Sequence, residues 1–154
     1  ESTIIDLSSS IPRILRPGRI THAQIEAVIG PVAQDQSESS PRASGTLEAH
    51  YAPRTPMLLL PRAALELEAE QQRAFGKRVA ILAIGALPAG FDGAVLAGEA
   101  RAFAHGLYAA LRRLDAGDEQ LLLVERPPEG AAWLAVHDRL RRAAAGAGLD
   151  DDSP

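Results

Sequence analysis

The sequence predicts an α/β fold: a three-layer, mostly parallel and Rossmann-like sheet with helices on both faces, preceded by a β-hairpin and a helix. After residue 57, short apolar runs alternate with segments of good helix formers, which is typical of strand–helix–strand units. The runs are continuously apolar, as strands buried on both faces are. Right-handed crossovers are expected to join them.

The first thirty residues predict the hairpin and helix. Residues 3–7 and 13–16 are rich in aliphatic residues and are separated by a turn of serines. Thr21 followed by Gln24 forms the capping-box pattern of a helix start, and Gly30 is a typical helix stop. A lone hairpin is marginally stable in water, so this unit is expected to join a larger sheet.

Residues 31–56 are interpreted as a linker. The stretch 32–42 is polar with little to bury, and we expect it to be mobile. The end of the linker differs, because Pro53 and Pro56 fix their own φ and bias the residues before them toward extended backbone. A stiff connector of this kind is expected to dock against a neighbouring surface.

Residues 57–149 are predicted to form the α/β domain, and 150–154 an acidic tail. Three strands are expected, at 57–60, 78–84 and 120–125, with a loop over 88–93. Helices are expected at 63–75 and 98–114, and a last helix carrying Trp133 should run to residue 145.

Composition excludes several classes of protein. The 154 residues are 46% apolar, carry a formal net charge of −4 and include no cysteine. This charge argues against a mainly electrostatic nucleic-acid binder, and the missing cysteines exclude disulfides and thiolate metal sites. No apolar run reaches the roughly 20 residues that span a bilayer, and no signal peptide is visible. Because the chain starts at Glu1 and its one methionine is Met57, we expect a piece of a longer protein.

Local motifs for chemistry are weak. Residues 85–90 follow a strand but lack the GxGxxG pattern, and Pro88 removes an N–H that a phosphate loop would use. The four histidines have no metal-ligand spacing. His137 is interpreted as a partly buried packing residue, and 138–142 as a solvated helix end, with RNA contact as the lesser alternative. The residues by themselves indicate an α/β domain without a catalytic constellation.

Three motifs together resemble a known family. They are the connector HYAPRTP at 50–56 preceded by Ser-Gly-Thr at 44–46, the segment ESTIID at 1–6, and RILRPG at 13–18. In this order they resemble the end of the catalytic domain and the interdomain linker of two-domain threonylcarbamoyl-AMP synthases. Those enzymes join a YrdC-like catalytic domain to a C-terminal accessory domain. Ser44 departs from the proline expected before Gly45.

The resemblance implies four site residues. Ser2 would contact the substrate threonine, and Arg16 would contact ATP phosphates through its planar, permanently charged guanidinium. Tyr51 would lie over the catalytic cleft and help to enclose the ATP, while His50 would brace the linker. No catalytic residue and no metal ligand is expected within this chain, since the upstream ATP site lies outside it.

The resemblance also implies the activity. The parent protein would be a nucleotidyltransferase that makes threonylcarbamoyl-AMP and pyrophosphate from threonine, bicarbonate and ATP, for tRNA N6-threonylcarbamoyladenosine modification. Residues 1–30 would be the end of its catalytic domain. ATP would be a substrate, with Mg²⁺ at the upstream domain and no cofactor on the accessory domain. The upstream domain, tRNA and tRNA-modification proteins would be the partners, in the cytoplasm and without a membrane. The chain alone is expected to be inactive.

Two alternatives remain open at this point. The C-terminal domain is also consistent with a regulatory module that binds a nucleotide, tRNA or a protein, since parallel sheets bind ligands in crevices at the carboxyl ends of their strands. A plain α/β domain without a ligand is the other alternative.

Overall fold

The computed structural model describes residues 2–33 and 52–148, and the predictions for residues 34–51 and for the tail lie outside these ranges. The described chain forms six strands, four α-helices and one 3₁₀ turn. The strands are β1 Ile4–Asp6, β2 Arg13–Arg16, β3 Met57–Leu60, β4 Val79–Ile84, β5 Gly93–Leu96 and β6 Leu121–Glu125. The helices are α1 His22–Ile29, α2 Arg62–Ala74, α3 Ala100–Asp115 and α4 Leu134–Gly146, with the 3₁₀ turn at Ala131–Trp133.

The main sheet is parallel and has the order β3-β6-β4-β5. Strand β6 lies inside, with Leu122 opposite Met57 on one side and Leu121 opposite Val79 on the other. This confirms the predicted α/β class with its parallel sheet. The expected number of three strands is wrong, because β5 forms a fourth.

Strand β5 lies where the sequence predicts the end of a loop. It pairs in parallel with β4 through an eight-residue connection, residues 85–92, that contains no helix. Parallel neighbours are usually joined by a longer crossover that contains a helix, so this connection gives no strand–helix–strand signal. Gly93 also weakens the strand pattern, although it pairs directly with Ile81.

The core lies in two layers because successive strand side chains point to opposite faces. On β4, Ala80 and Leu82 pack toward α3 and α4, whereas Ile81 and Ala83 pack toward α2. The larger layer includes an edge-to-face pair, Phe103 and Trp133, whose ring centroids are 5.5 Å apart. The prediction of helices on both faces of the sheet is confirmed.

Residues 2–33 form the predicted hairpin and helix. Strands β1 and β2 are antiparallel. The capping box of α1 is confirmed in both directions, with the Gln24 backbone N–H donating to Thr21 Oγ1 and the Thr21 N–H donating to Gln24 Oε1. Gly30 ends the helix at a φ of 82°, which glycine adopts readily. Four apolar residues form the core of this unit: Ile5, Ile14, Ile25 and Val32.

None of the helices within residues 2–33 and 52–148 combines the length and the apolar character that a membrane span requires.

Gly93 is predicted to be required for the pairing of β5 with β4. A Cβ at this position would overlap the carbonyl oxygen of Ile81, so Gly93→Ala must displace the backbone of the edge strand. We expect the free energy of unfolding in urea, followed by Trp133 fluorescence, to fall by about 2 kcal/mol or more.

Gly98→Ala is the matched control for this substitution. A Cβ at Gly98 would meet only the Ile84 side chain, at an ordinary contact distance of 3.5 Å. Its effect should stay within about 0.5 kcal/mol. Equal losses in the two variants would contradict the steric explanation.

Candidate functional site

The structure brings two of the predicted site residues together. The Arg16 guanidinium donates through Nε and Nη2 to the main-chain carbonyl oxygen of Ser2, at 3.2 and 3.1 Å. Arg16 also lies opposite Ile4 in the strand register. Because Ser2 comes two residues before Ile4, Ser2 and Arg16 lie at the same end of the hairpin. Residues 2–6 of the first motif and residues 13–18 therefore form one corner of the structure.

The neighbouring motif residues shape this corner. A Cβ at Gly18 would overlap the backbone of Ser2 and Thr3, so glycine permits the close approach of the two segments. At the other end of β1, Asp6 Oδ1 accepts hydrogen bonds from the Ser8 hydroxyl and the Ser8 backbone N–H, at 2.6 and 2.8 Å. These two bonds hold the pKa of Asp6 below its ordinary value and close the turn.

A wide cleft of about 1760 Å³ lies between the hairpin unit and the helical face of the domain. Pro17 and Gly18 line one side of it, and His105 and Arg139 line the other. Ser2 and Arg16 are not among the described residues that line the cleft, although they adjoin Pro17 and Gly18. The predicted corner thus borders the cleft.

The arginines of α4 differ from the sequence-based interpretation. Residues 138–142 were expected to be a solvated helix end, but Arg139 and Arg142 are each only 6% exposed. The Arg142 guanidinium binds both carboxylate oxygens of Asp138, with its Nε and Nη2 each 2.9 Å from an oxygen. A bidentate pair of this kind is the arrangement in which buried arginine is tolerated. The solvated interpretation is therefore wrong for these two residues.

The end of the connector is held at its main chain. The carboxylate of Asp115 accepts the backbone N–H groups of Arg54 and Thr55, at 3.1 and 2.8 Å. The carbonyl oxygen of Pro53 accepts from the Gly148 N–H, and that of Pro56 accepts from the Leu122 N–H. Pro53 is buried. Residues 53–56 of the proline-stiffened connector are thus docked, whereas the docking expected of His50 and Tyr51 falls outside the described residues.

Burial of Asp115 raises the pKa of its carboxyl, but the hydrogen bonds from Thr55 and Arg54 outweigh it and leave the pKa below its ordinary value. The side chain is 16% exposed, whereas the Arg54 side chain is 87% exposed and its Nε lies 3.7 Å away. The backbone donors, and not this exposed guanidinium, therefore account for most of the stabilisation of the carboxylate.

The carboxyl ends of the strands, where parallel sheets usually bind ligands, carry an internal ion-pair network. Arg62 at the start of α2 donates to Glu66 at 2.6 Å, to the carbonyl oxygen of Ala86 at 2.7 Å and to Glu125 at 3.1 Å. The same Glu125 oxygen accepts the N–H of Ile84. The bonds to the two carboxylates raise the pKa of Arg62, with Glu66 as the main cause and Glu125 as the lesser one. A ligand at this edge would have to displace them.

The remaining predicted residues fall in two groups. Tyr51 and His50 lie outside the described residues. His137 is partly buried as predicted, and its Nε2 lies 2.9 Å from the carbonyl oxygen of Pro128. Within residues 2–33 and 52–148, no three histidine or carboxylate side chains converge as a metal site would require.

Sequence reasoning missed Asp115 and Glu125. Asp115 carries a detectable signal, because a carboxylate in the last position of a helix opposes the helix dipole and therefore calls for a specific partner. Glu125 is a comparable signal, because a carboxylate at the end of a continuously apolar strand also calls for a specific partner.

Comparison with known proteins gives one family. The family model described as "Threonylcarbamoyl-AMP synthase, C-terminal domain" matches residues 20–145. The threonylcarbamoyl-AMP synthase of Bacillus subtilis is 35% identical over 95% of this chain, and that of Pyrococcus abyssi is 33% identical over 93%. This chain spans 45% of the length of each relative.

Solved structures agree with these sequence relatives. P. abyssi Sua5 complexed with L-threonine matches 96% of this chain with a TM-score of 0.81 at 30% identity, and the match spans 46% of that structure. A histidine/tyrosine-to-alanine double variant of P. abyssi Sua5 matches equally, with a TM-score of 0.80. The likeness covers the hairpin unit as well as the α/β domain.

The Asp115 carboxylate is predicted to stabilise the fold in a pH-dependent way. Because its folded pKa is depressed, the stabilisation is complete above the ordinary aspartate pKa and is lost as the pH falls through the lower folded value. Asp115→Asn should lower the free energy of unfolding by about 1 kcal/mol at pH 7. The difference from the parent chain should shrink below about pH 4.

Urea unfolding at pH 7 and at about pH 3 measures this difference. Asp118→Asn is the control, since Asp118 is 83% exposed and pairs with Arg78 at the surface. A gap between Asp115→Asn and the parent chain that stays the same at both pH values would contradict the role assigned to the charge.

Proposed function

Because this chain belongs to the threonylcarbamoyl-AMP synthase C-terminal domain family, we propose that it is the C-terminal part of a threonylcarbamoyl-AMP synthase that acts in tRNA modification. The observation that carries the proposal is the corner where Arg16 meets Ser2, since the two motifs of the resemblance meet there in space. In this proposal the corner is one wall of the nucleotide site, and an upstream domain supplies the rest.

The surface of residues 2–33 supports an upstream neighbour. Five large apolar side chains of this small unit are at least 45% exposed, namely Leu7, Ile11, Ile20, Val28 and Ile29. Its internal core of four residues is too small to stabilise a separate domain. Further strands and helices packed against this unit would bury the apolar surface and extend the two-stranded sheet.

The chemistry that we propose for the parent protein is condensation followed by nucleotidyl transfer. The threonine amine takes up bicarbonate as a carbamate with loss of water, and a carbamate oxygen attacks the α-phosphorus of ATP. The bond to the β,γ-diphosphate breaks, and pyrophosphate leaves. Such a reaction depends on positioning and on cations near the phosphates, and Mg²⁺ at the upstream domain would add charge there.

The roles of the four predicted residues follow from this reaction. Arg16 contacts the ATP phosphates, and the Ser2 hydroxyl contacts the substrate threonine. Tyr51 helps to enclose the nucleotide and His50 braces the linker, so that the accessory domain and linker close or regulate the site. Support for the linker role comes from residues 53–56, whose docking fixes where the connector meets the domain. A lid of this kind excludes water and holds reactants together.

The alternative of an independent nucleotide-binding module has less support. Its expected crevice contains the Arg62–Glu125 network, in which the charged groups already have partners. Binding of ATP there would expose Glu125 to the phosphates. Titration of the 154-residue chain with ATP, followed by Trp133 fluorescence, separates the two functions, because the synthase proposal predicts no saturable change.

The first test of the proposal is activity. The whole gene product that carries this chain should release pyrophosphate from ATP only when threonine and bicarbonate are both present. The 154-residue chain alone should release none, because one wall of the site does not hold the reactants. Pyrophosphate release by the chain alone, or none by the whole gene product, would refute the proposal.

The second test separates the roles of Arg16 and Ser2. Arg16→Ala in the whole gene product should lower kcat/KM for ATP by about 100-fold, since a charged phosphate contact is lost. Ser2→Ala should raise KM for threonine by about tenfold and leave KM for ATP unchanged. Arg73→Ala, which removes a surface ion pair with Glu70 on α2, is the control and should match the parent enzyme.

A further inference from the structure

Asp115 occupies a position that is unfavourable for a carboxylate. It is the last residue of α3, where the unpaired carbonyl groups of the helix give a partial negative charge. Its side chain is also largely buried, which adds a desolvation cost. Arg112 and Arg113 lie in the same last turn, where positive charge is favourable. The placement is understandable only if the carboxylate has specific partners.

Those partners belong to the main chain of the connector. Between Pro53 and Pro56, only Arg54 and Thr55 carry backbone N–H groups, and Asp115 accepts both. The two flanking carbonyl groups are bonded to Gly148 and Leu122. The segment is therefore fastened at four backbone points within four residues, and its φ angles are fixed at both prolines. These four hydrogen bonds and the two fixed φ angles set the direction of the backbone at Ala52.

We infer that Asp115 is a positioning residue, which orients the connector where it meets the α/β domain. The inference rests on the proposed function, because the linker matters for catalysis only in a synthase. Asp115 touches no reactant in this scheme. It acts mainly through the backbone N–H groups of Arg54 and Thr55, and the side chains of these two residues make smaller contributions.

The structure separates this role from two simpler ones. A surface ion pair with Arg54 would depend on a guanidinium that is 87% exposed and would contribute little. A cap at the end of α3 would have to donate hydrogen bonds to the free carbonyl groups of the helix, which a carboxylate cannot do. Glu99 caps the other end of α3, where it accepts from the N–H groups of Arg101 and Ala102. Asp115 instead bonds residues about sixty positions earlier in the chain.

The test combines a local and a functional readout. In NMR spectra of the 154-residue chain, the amide protons of Arg54 and Thr55 should shift together as the pH falls through the Asp115 pKa. Asp115→Asn should abolish this titration, and Asp115→Ala should move both resonances at neutral pH. The amides of Ile81 and Leu123 in the sheet should not move. Arg54→Ala, which keeps the backbone N–H, should retain the titration.

In the whole gene product, Asp115→Ala should lower kcat for pyrophosphate release by about tenfold, because both charge-assisted bonds to the connector backbone are lost. KM for ATP should stay within about twofold, since no reactant contact is removed. Arg54→Ala and the surface control Asp118→Asn should match the parent enzyme. Asp115→Asn, which keeps one acceptor oxygen, should fall between the parent and the alanine variant.

Each result decides a separate point. If the amide resonances of Arg54 and Thr55 do not change with the pH titration or the substitution of Asp115, the anchoring is overturned. Equal shifts of the amide resonances throughout the sheet would show a purely structural role. Normal kcat in Asp115→Ala, with an active parent enzyme, would overturn the positioning. An inactive parent enzyme would refute the proposed function instead, while the NMR titration would still decide whether Asp115 anchors the connector.

Discussion

The burial of strand β6 is the constraint on which the α/β domain depends. Leu122, Leu123 and Val124 are completely inaccessible to solvent, and β6 is bonded on both edges by β3 and β4. A strand that is apolar on both faces requires a helical layer on each, and α2 on one face with α3 and α4 on the other provide them. The positions of Asp115 at the end of α3 and of Arg62 at the start of α2 follow from this layering.

Charged side chains lie at the edges of these layers, where they pair with each other or bind the backbone of a neighbouring segment. Arg62 and Glu125 pair with each other at the carboxyl edge of the sheet, which is the usual location of ligand sites in parallel sheets. Asp138 and Arg142 form a bidentate pair beside the wide cleft. The Asp115 carboxylate accepts hydrogen bonds from the backbone of the connector. Each of these three carboxylates therefore has a specific partner within the described part of the chain.

Much of this fold can be predicted from sequence because its signals are local. The capping box of α1 and the continuous apolar runs of β3, β4 and β6 lie within a few neighbouring residues. Strand β5 could not be predicted, since its pairing with β4 is formed without an intervening helix and includes Gly93. The four residues of β5 form a strand only because they pair with β4, which is a tertiary effect.

The candidate site, like the fold, could be predicted from the sequence only in part. Arg16 and Ser2 could be named from motifs, but their contact depends on the antiparallel register of β1 and β2. Asp115 could not be assigned a role, because its partners lie about sixty residues away in sequence. Similarly, Arg139 and Arg142 have the sequence of an exposed helix end, and only the folded arrangement of α4 against its neighbours buries them.

The hydrogen bond between Gly148 and Pro53 has a consequence for how such a domain is built into larger proteins. It joins the first docked residue of the connector to the segment after the last helix of the α/β domain, and a Cβ at Gly148 would lie only 3.0 Å from the Pro56 ring. Both ends of the folded unit therefore emerge at one spot. Units with adjacent ends tolerate transplantation and circular permutation, since a short bridge can reconnect them without disturbing the core.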